Sequence, residues 1–467
     1  MPSDPSVGPP GREPGSKVDL VVAGAVLVKT MNGDEEIPGG WVAVHNGLVA
    51  GVGRPGSEPP AERTLRADGC LVTPGLVNVH HHIYQNLTRA YRPATQSGLF
   101  DWLRALYPRW ALIDEEAVYL STWVGLAELA LGGCTTTSDH LYVHPRGTGD
   151  LLGAEVAAAR EVGLRFHPTR GSMSLSEDEG GLPPRSVCED EDAILAASQA
   201  AVDAYHDRSV GAMVRIALAP CSPFSVSRHL MSATAELAER LDVRLHTHLA
   251  EDPDEDRYCQ DMYGCRPVDY FEEVGWLSSR SWVAHCVHPD AGEVQRLGRA
   301  GVGVAHCPSS NLLLGVGLAP VAELSAAGSP VGLGCDGSSS TDSASMWLEA
   351  RTALLLARLR SGAASTGARR ALEMATLGGA ACLGRQGELG VLAAGAAADL
   401  VCWKLDGPRF AGALSDPVEA WLRCGPVAAH HTVVAGRAVV QDGALLSEDV
   451  EDRLRRHAVA AGRVQGL

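Results

Sequence analysis

The rhythm of apolar and polar positions changes twice along the chain. From Lys17 to about Thr73, short β-type runs (DLVVAGAVLV, GGWVAVHNGLVAGVG) are broken by Gly, Asn and Asp turn signals, the pattern of an all-β segment. From Pro74, eight short apolar runs follow: LVNVHHH at 76, CTTTSDH at 134, LRFHPTR at 164, VRIALAP at 214, VRLHTHLAE at 243, SWVAHC at 281, VGVAHCP at 302 and VGLGCDG at 331. Between them lie stretches of helical periodicity, such as DEEAVYLSTWVGLAELAL from Asp114, DAILAASQAAVDAY from Asp192 and ATAELAERL from Ala233. Strand and helix alternating about eight times is the sequence form of a parallel barrel. After about Gly387 the turn-punctuated β pattern returns (GELGVLAAGAAADLVCW, HHTVVAGRAVVQDG). The expected fold class is therefore α/β: a (β/α)8 TIM-like barrel over residues 74–386, beside a small β-sandwich built from both chain ends. Residues 17–73 supply its N-terminal part, and residues 387–467 its C-terminal part and a terminal helix. Residues 1–16, Pro/Gly-rich and without an apolar core, read as a disordered tail.

Composition narrows the function. With 467 residues, 45% hydrophobic and 20% charged, the chain is of ordinary globular make-up, which excludes a disordered protein. Its 39 Lys+Arg against 56 Asp+Glu give a formal charge of -17, so neither nucleic acid nor an anionic membrane is an expected partner. No run of eighteen apolar residues offers a membrane span. Lysine occurs only at Lys17, Lys29 and Lys404, so the barrel has no amine nucleophile and no phosphate-loop lysine. The twelve cysteines contain no CxxC pair, which excludes a zinc ribbon or a thioredoxin-like site and fits reduced thiols in the cytoplasm.

The polar exceptions in the apolar runs fall near their C-terminal ends, where barrel enzymes place their chemistry. In the first run, strand alternation sends His80 and His82 to one side and His81 to the other, so two imidazoles can share an ion. In the fifth, His248 completes a three-nitrogen set and Glu251 leans from the following loop, while His246 lies one layer deeper as a hydrogen-bonded core histidine. Asp336 ends the eighth run; a buried carboxylate needs a cation or a hydrogen-bond network, so it is the expected fourth ligand and a proton carrier. His285, ending the sixth, faces the substrate. Rival motifs fail: Gly332, Gly334 and Gly337 match GxGxxG, but Asp336 interrupts the turn and no immediate helix follows. HExxH and GxSxG are absent, and Pro220-Cys221 lacks the second cysteine of zinc base deaminases.

PGLVNVHHH, HTHLAE, HCPSSN, GLGCDG and GELGVLAAGAAADLV together resemble the amidohydrolase superfamily over nearly the whole length. Within it the chain is similar to the aminohydrolase and chlorohydrolase branch. The stretch HHHIYQNLTRAYRPATQSGLFDWLRALYPRW and RFHPTRGSMS resemble 8-oxoguanine deaminases. Binuclear members bridge two metals through a strand-four lysine; VRIALAP has none, so the resemblance implies one divalent metal per chain, zinc first and iron as the alternative. It implies ligands His80, His82, His248 and Asp336, and attack by metal-bound hydroxide on a cyclic amidine carbon. Glu251 and Asp336 move protons and His285 polarises the attacking oxygen or holds the substrate. Gln85, Trp110 and Arg170 are candidate substrate contacts, through a lactam edge, ring stacking and a carbonyl. Ser309 and Asn311 are candidate supports behind the site. The expected reaction converts 8-oxoguanine to urate and ammonia in a homo-oligomer. The alternatives are removal of chloride, thioalkyl or amine groups from triazines or pterins, and a non-catalytic assembly role.

Overall fold

The computed structural model describes residues 17–467; the expected disordered tail lies outside the described residues. Eight parallel strands close into a barrel: β1 (Leu76–Asn78), β2 (Cys134–Leu141), β3 (Arg165–Ser172), β4 (Ala217–Pro220), β5 (Leu245–Leu249), β6 (Ser281–His285), β7 (Gly303–His306) and β8 (Val331–Leu333). Each coincides with one of the eight apolar runs. Almost every residue of these strands is buried, because parallel strands have helices over one face and the barrel interior on the other. Val77, Val79, Ala217, Trp282 and Ala305 pack together as part of that interior.

The helices between strands start where the sequence can cap them. Asp114 accepts from Ala117 N at the head of Glu115–Leu131, and Asp190 does the same for Glu191–Tyr205. The third periodic stretch starts earlier than its apolar spacing suggests: the helix is Arg228–Leu241, opened by the Ser227 hydroxyl accepting from Leu230 N. A polar first turn hides from an apolar period, whereas the cap residue marks it.

Both chain ends contribute to the flanking sheets. A four-stranded sheet runs Leu48–Gly53, Trp41–His45, Val18–Ala23, Ala61–Arg66. A seven-stranded one pairs Leu400–Lys404 and His431–Val434 from the C-terminal side with Cys70–Pro74 and Leu27–Lys29 from the N-terminal side. Val22, Val42 and Val44 of the first share one apolar core with Val28, Val72, Leu400 and Val433 of the second. The terminal helix Val450–Gln465 leaves these sheets and packs on the barrel. His457 Nε2 lies 2.8 Å from Asn86 Oδ1, and Gln465 donates to the Leu87 carbonyl at 2.8 Å.

One buried ion pair ties barrel to sheets. The Arg165 guanidinium, on β3, grips Asp399 with two bonds of 2.9 Å. Arg165 also donates to the Gly211 and Ala212 carbonyls, and Asp399 accepts from Ala435 N at 2.8 Å. Removing one partner strands the other charge in the core. Asp399→Ala is expected to destabilise the chain by about 3–5 kcal/mol in denaturant unfolding, whereas replacing both partners with apolar residues of similar volume costs far less.

Candidate active site

The seam where β8 meets β1 assembles the first half of the site. Beyond Asn78 the chain places His80, then pairs His81–His82 in parallel with Asp336–Gly337, just past β8. Asp336 Oδ1 thereby lies 3.3 Å from both His80 Nε2 and His82 Nε2. His248, near the end of β5, brings its Nε2 to 3.1 Å from His82 Nε2. The three imidazoles and the carboxylate are buried.

Hydrogen bonds on the far side of each ring fix the tautomers. His82 Nδ1 faces the His140 carbonyl at 2.7 Å and His248 Nδ1 the Cys221 carbonyl at 2.7 Å. Each Nδ1 must donate, which leaves each Nε2 a bare lone pair. His246 Nδ1 donates to the Trp282 carbonyl at 2.9 Å, so its Nε2 accepts, and His80 Nδ1, 2.8 Å away, is the donor. His80 Nε2 is then also a lone pair, and it has no hydrogen-bond partner. Burial holds all three ring pKa values below the usual histidine value, keeping them neutral. Three lone pairs and a carboxylate thus converge without a hydrogen between them. This donor set fits a divalent cation.

A fourth imidazole, His140 on β2, shares the cluster: His80, His82, His140 and His248 each offer a nitrogen within 4.8 Å of the others. Its Nε2 bonds the Ala219 carbonyl at 2.9 Å and its Nδ1 is unpartnered. It escaped the sequence reading although it closes the CTTTSDH run, the same strand-end position that flagged the others.

Opposite the cluster, Glu251 Oε1 lies 3.5 Å from His285 Nε2, and His285 Nε2 lies 3.9 Å from Asp336 Oδ2. Burial, reinforced by Asp336 and Glu255, pushes the Glu251 carboxyl well above its ordinary value. His285 is oriented by Asn311, whose Oδ1 lies 2.9 Å from Nδ1. Ser309 contributes through its backbone N–H, donated to buried Glu349 at 3.0 Å. Asp139 likewise accepts from Ile83 N, directly after His82, at 2.7 Å. Ala250, His285 and Asp336 all have positive φ (51°, 68° and 56°); non-glycine residues in this region carry strain and concentrate at functional sites.

A cavity of about 30 Å³ reaches these groups, walled by Leu99, Trp102, Leu103, Tyr107, Phe224 and Leu314. That is room for about two or three waters at roughly 10–15 Å³ each, and Leu99, Trp102, Leu103 and Tyr107 of helix Leu99–Trp110 form one side of it. Gln85 lines it with both amide atoms buried and unpartnered. Two expected substrate contacts are corrected. Trp110 is fully buried one layer back, donating Nε1 to Thr88 Oγ1 at 3.0 Å and packed edge-on against Tyr84, Trp102 and Tyr107; Trp102 of the same helix meets the cavity instead. Arg170 is turned away, paired with Glu189 at 2.7 Å beside a separate cavity.

The model of the amidohydrolase family matches residues 71–439. An 8-oxoguanine deaminase from Pseudomonas aeruginosa is 48% identical over 424 residues, covering 90% of this chain and 94% of that relative. An isoxanthopterin deaminase from an unknown prokaryotic organism is 35% identical, covering 91% of each. The crystal structure of atrazine chlorohydrolase from Arthrobacter aurescens TC1 complexed with zinc superposes with a TM-score of 0.91 at 32% identity, covering 95% of this chain and all of that one.

The position of Gln85 depends on Gly337, where a Cβ would stand 1.8 Å from Gln85 Oε1. Gly337→Ala is therefore expected to displace Gln85 and weaken binding of a ring ligand about tenfold, the loss of one or two hydrogen bonds. Titration calorimetry checks this, and Gln85→Ala should show the same loss.

Proposed function

Because the chain belongs to the amidohydrolase family, we propose that it is a metal-dependent hydrolase removing the exocyclic amino group of a purine-like heterocycle, converting 8-oxoguanine and water to urate and ammonia. The observation that carries this reading is the convergence of three imidazole lone pairs on one carboxylate, in a family that is metal-dependent and beside relatives that deaminate flat amidine rings.

In this reading His80, His82, His248 and Asp336 hold one divalent ion per chain, zinc in the first instance and iron as the alternative, with His140 closing the cluster from β2. Such an ion acidifies water at neutral pH and offsets negative charge developing in the transition state. Glu251, its pKa raised by burial, takes a proton from the attacking water and gives it to a ring nitrogen, which makes the amidine carbon electrophilic. Asp336 accepts the remaining hydroxyl proton at Oδ2, steadied by the Ser340 hydroxyl at 3.1 Å, and returns it to the departing amine. His285, held by Asn311, polarises the attacking oxygen or holds the substrate. Gln85 reads the lactam edge with one donor and one acceptor, while Trp102, Phe224 and Leu314 exclude bulk water. The runner-up reading, expulsion of chloride from a triazine, is supported by the likeness to the atrazine chlorohydrolase.

A panel of purines, pterins and triazines separates the two. Ammonia release is expected from 8-oxoguanine with kcat/KM at least tenfold above guanine and isoxanthopterin, and no chloride from atrazine; chloride release without ammonia would reverse the assignment. Chelation should abolish turnover and added zinc restore it, with about one ion per chain by elemental analysis. Glu251→Gln is expected to retain the metal while kcat falls about 10²–10⁴-fold; wild-type turnover would move the proton shuttle elsewhere.

A further inference from the structure

Beyond the residues that face the cavity, the turn carrying Glu251 is built in an unusual way. The chain leaves β5 at Leu249, and Ala250 takes a left-handed conformation with φ 51°. This turns the backbone N–H groups of Ala250 and Glu251 toward one side chain. Glu255 Oε1 accepts from Ala250 N at 2.8 Å and Glu255 Oε2 from Glu251 N at 2.8 Å. Glu255 sits in the first turn of helix Pro253–Tyr263 and is completely buried. Among the described residues it has no Lys, Arg or His partner, and the charges that act on it, Asp252 and Asp256, are acidic.

A carboxylate buried without a cation is costly. Its two oxygens match the two N–H groups of a turn that the Ala250 conformation strains, and that turn is stapled from its other side by Val287 N and His288 N, both 2.9 Å from the Ala250 carbonyl. Released, Ala250 would relax from the left-handed region and carry the Glu251 backbone with it. Glu251 Oε1 now stands 3.5 Å from His285 Nε2, and a proton carrier serving both a water and a ring nitrogen tolerates little displacement, since a misplacement of about 1 Å can cost about 100-fold in rate.

We propose that Glu255 is the positioning residue for Glu251: its carboxylate clamps the two amides of the strained turn and so fixes where the proton-carrying group stands. This rests on the reading of Glu251 as proton carrier. Glu255 is not among the residues of the ion cluster or the cavity lining; it holds the Ala250 and Glu251 amides and adds a negative charge near the Glu251 carboxyl.

The test is a double-mutant cycle on the zinc-loaded full chain with 8-oxoguanine, using Glu255→Gln, which keeps one acceptor but presents an amide NH2 to the other N–H. Expected are a kcat about 10–100-fold lower, KM within about twofold and an unchanged zinc content. In a Glu251→Gln background, Glu255→Gln is expected to change kcat by less than about twofold, because the group it positions is already disabled. Equal multiplicative losses in both backgrounds, or wild-type kcat in Glu255→Gln alone, would overturn the proposal. Full activity of Glu251→Gln would instead overturn the proton-carrier reading. Amide exchange at Ala250 and Glu251 in the metal-free protein gives a second readout: faster exchange in Glu255→Gln supports the clamp, and unchanged protection sinks it. Should that variant not fold, Glu255→Asp, which keeps both oxygens on a shorter stem, is read through the same cycle.

Discussion

Three nitrogen lone pairs forced to face a carboxylate are the interaction on which the site depends. Left alone they repel, and nothing among the described side chains sits between them to donate a hydrogen. The fold accepts this because the opposite edge of each ring is anchored: His82 to the His140 carbonyl, His248 to that of Cys221, and His80 through His246 to that of Trp282. Carbonyls cannot be protonated or rotated away without breaking the barrel. The tautomers are therefore properties of the backbone, and the cation requirement is built in before any ion arrives.

The same end of the barrel concentrates strain and buried charge. Asp336 and His285 occupy positive φ, and the adjoining loops are held by carboxylates that find backbone N–H groups rather than cations: Asp139 at Ile83, Glu255 at Ala250 and Glu251, and Glu349 at Ser309. Burial pushes all three acids up, Glu255 to about 7 and Glu349 to about 8. A core optimised for stability alone would replace them with apolar side chains. Stability is supplied elsewhere, in the shared core of the two terminal sheets and the Arg165–Asp399 clamp, which leaves the barrel mouth free to be locally unfavourable.

Over the ion cluster the pocket divides its labour. Its walls are mostly aromatic and aliphatic, and Gln85 alone adds an amide whose two polar atoms are buried without a partner; under the proposed function those walls accept a flat ring and that amide completes its hydrogen bonds with it. Unpaired polar atoms penalise a ring lacking the matching edge more than they reward one that has it.

By itself the sequence determined the barrel and the sheets from both ends, because strand and helix periods are local and eight apolar runs admit few other arrangements. It also marked His80, His82, His248, Glu251, His285 and Asp336, since a polar residue closing an apolar run needs a reason to be there. Tertiary structure alone decided the rest. Trp102 rather than Trp110 faces the cavity because packing, not composition, chooses which side of a helix turns inward. Arg170 is lost to Glu189, a partner 19 residues on that only the folded chain brings beside it. His140 joins the cluster, and Glu255 reaches two amides, only when the barrel closes: side chains distant in sequence become partners through curvature that no local period encodes.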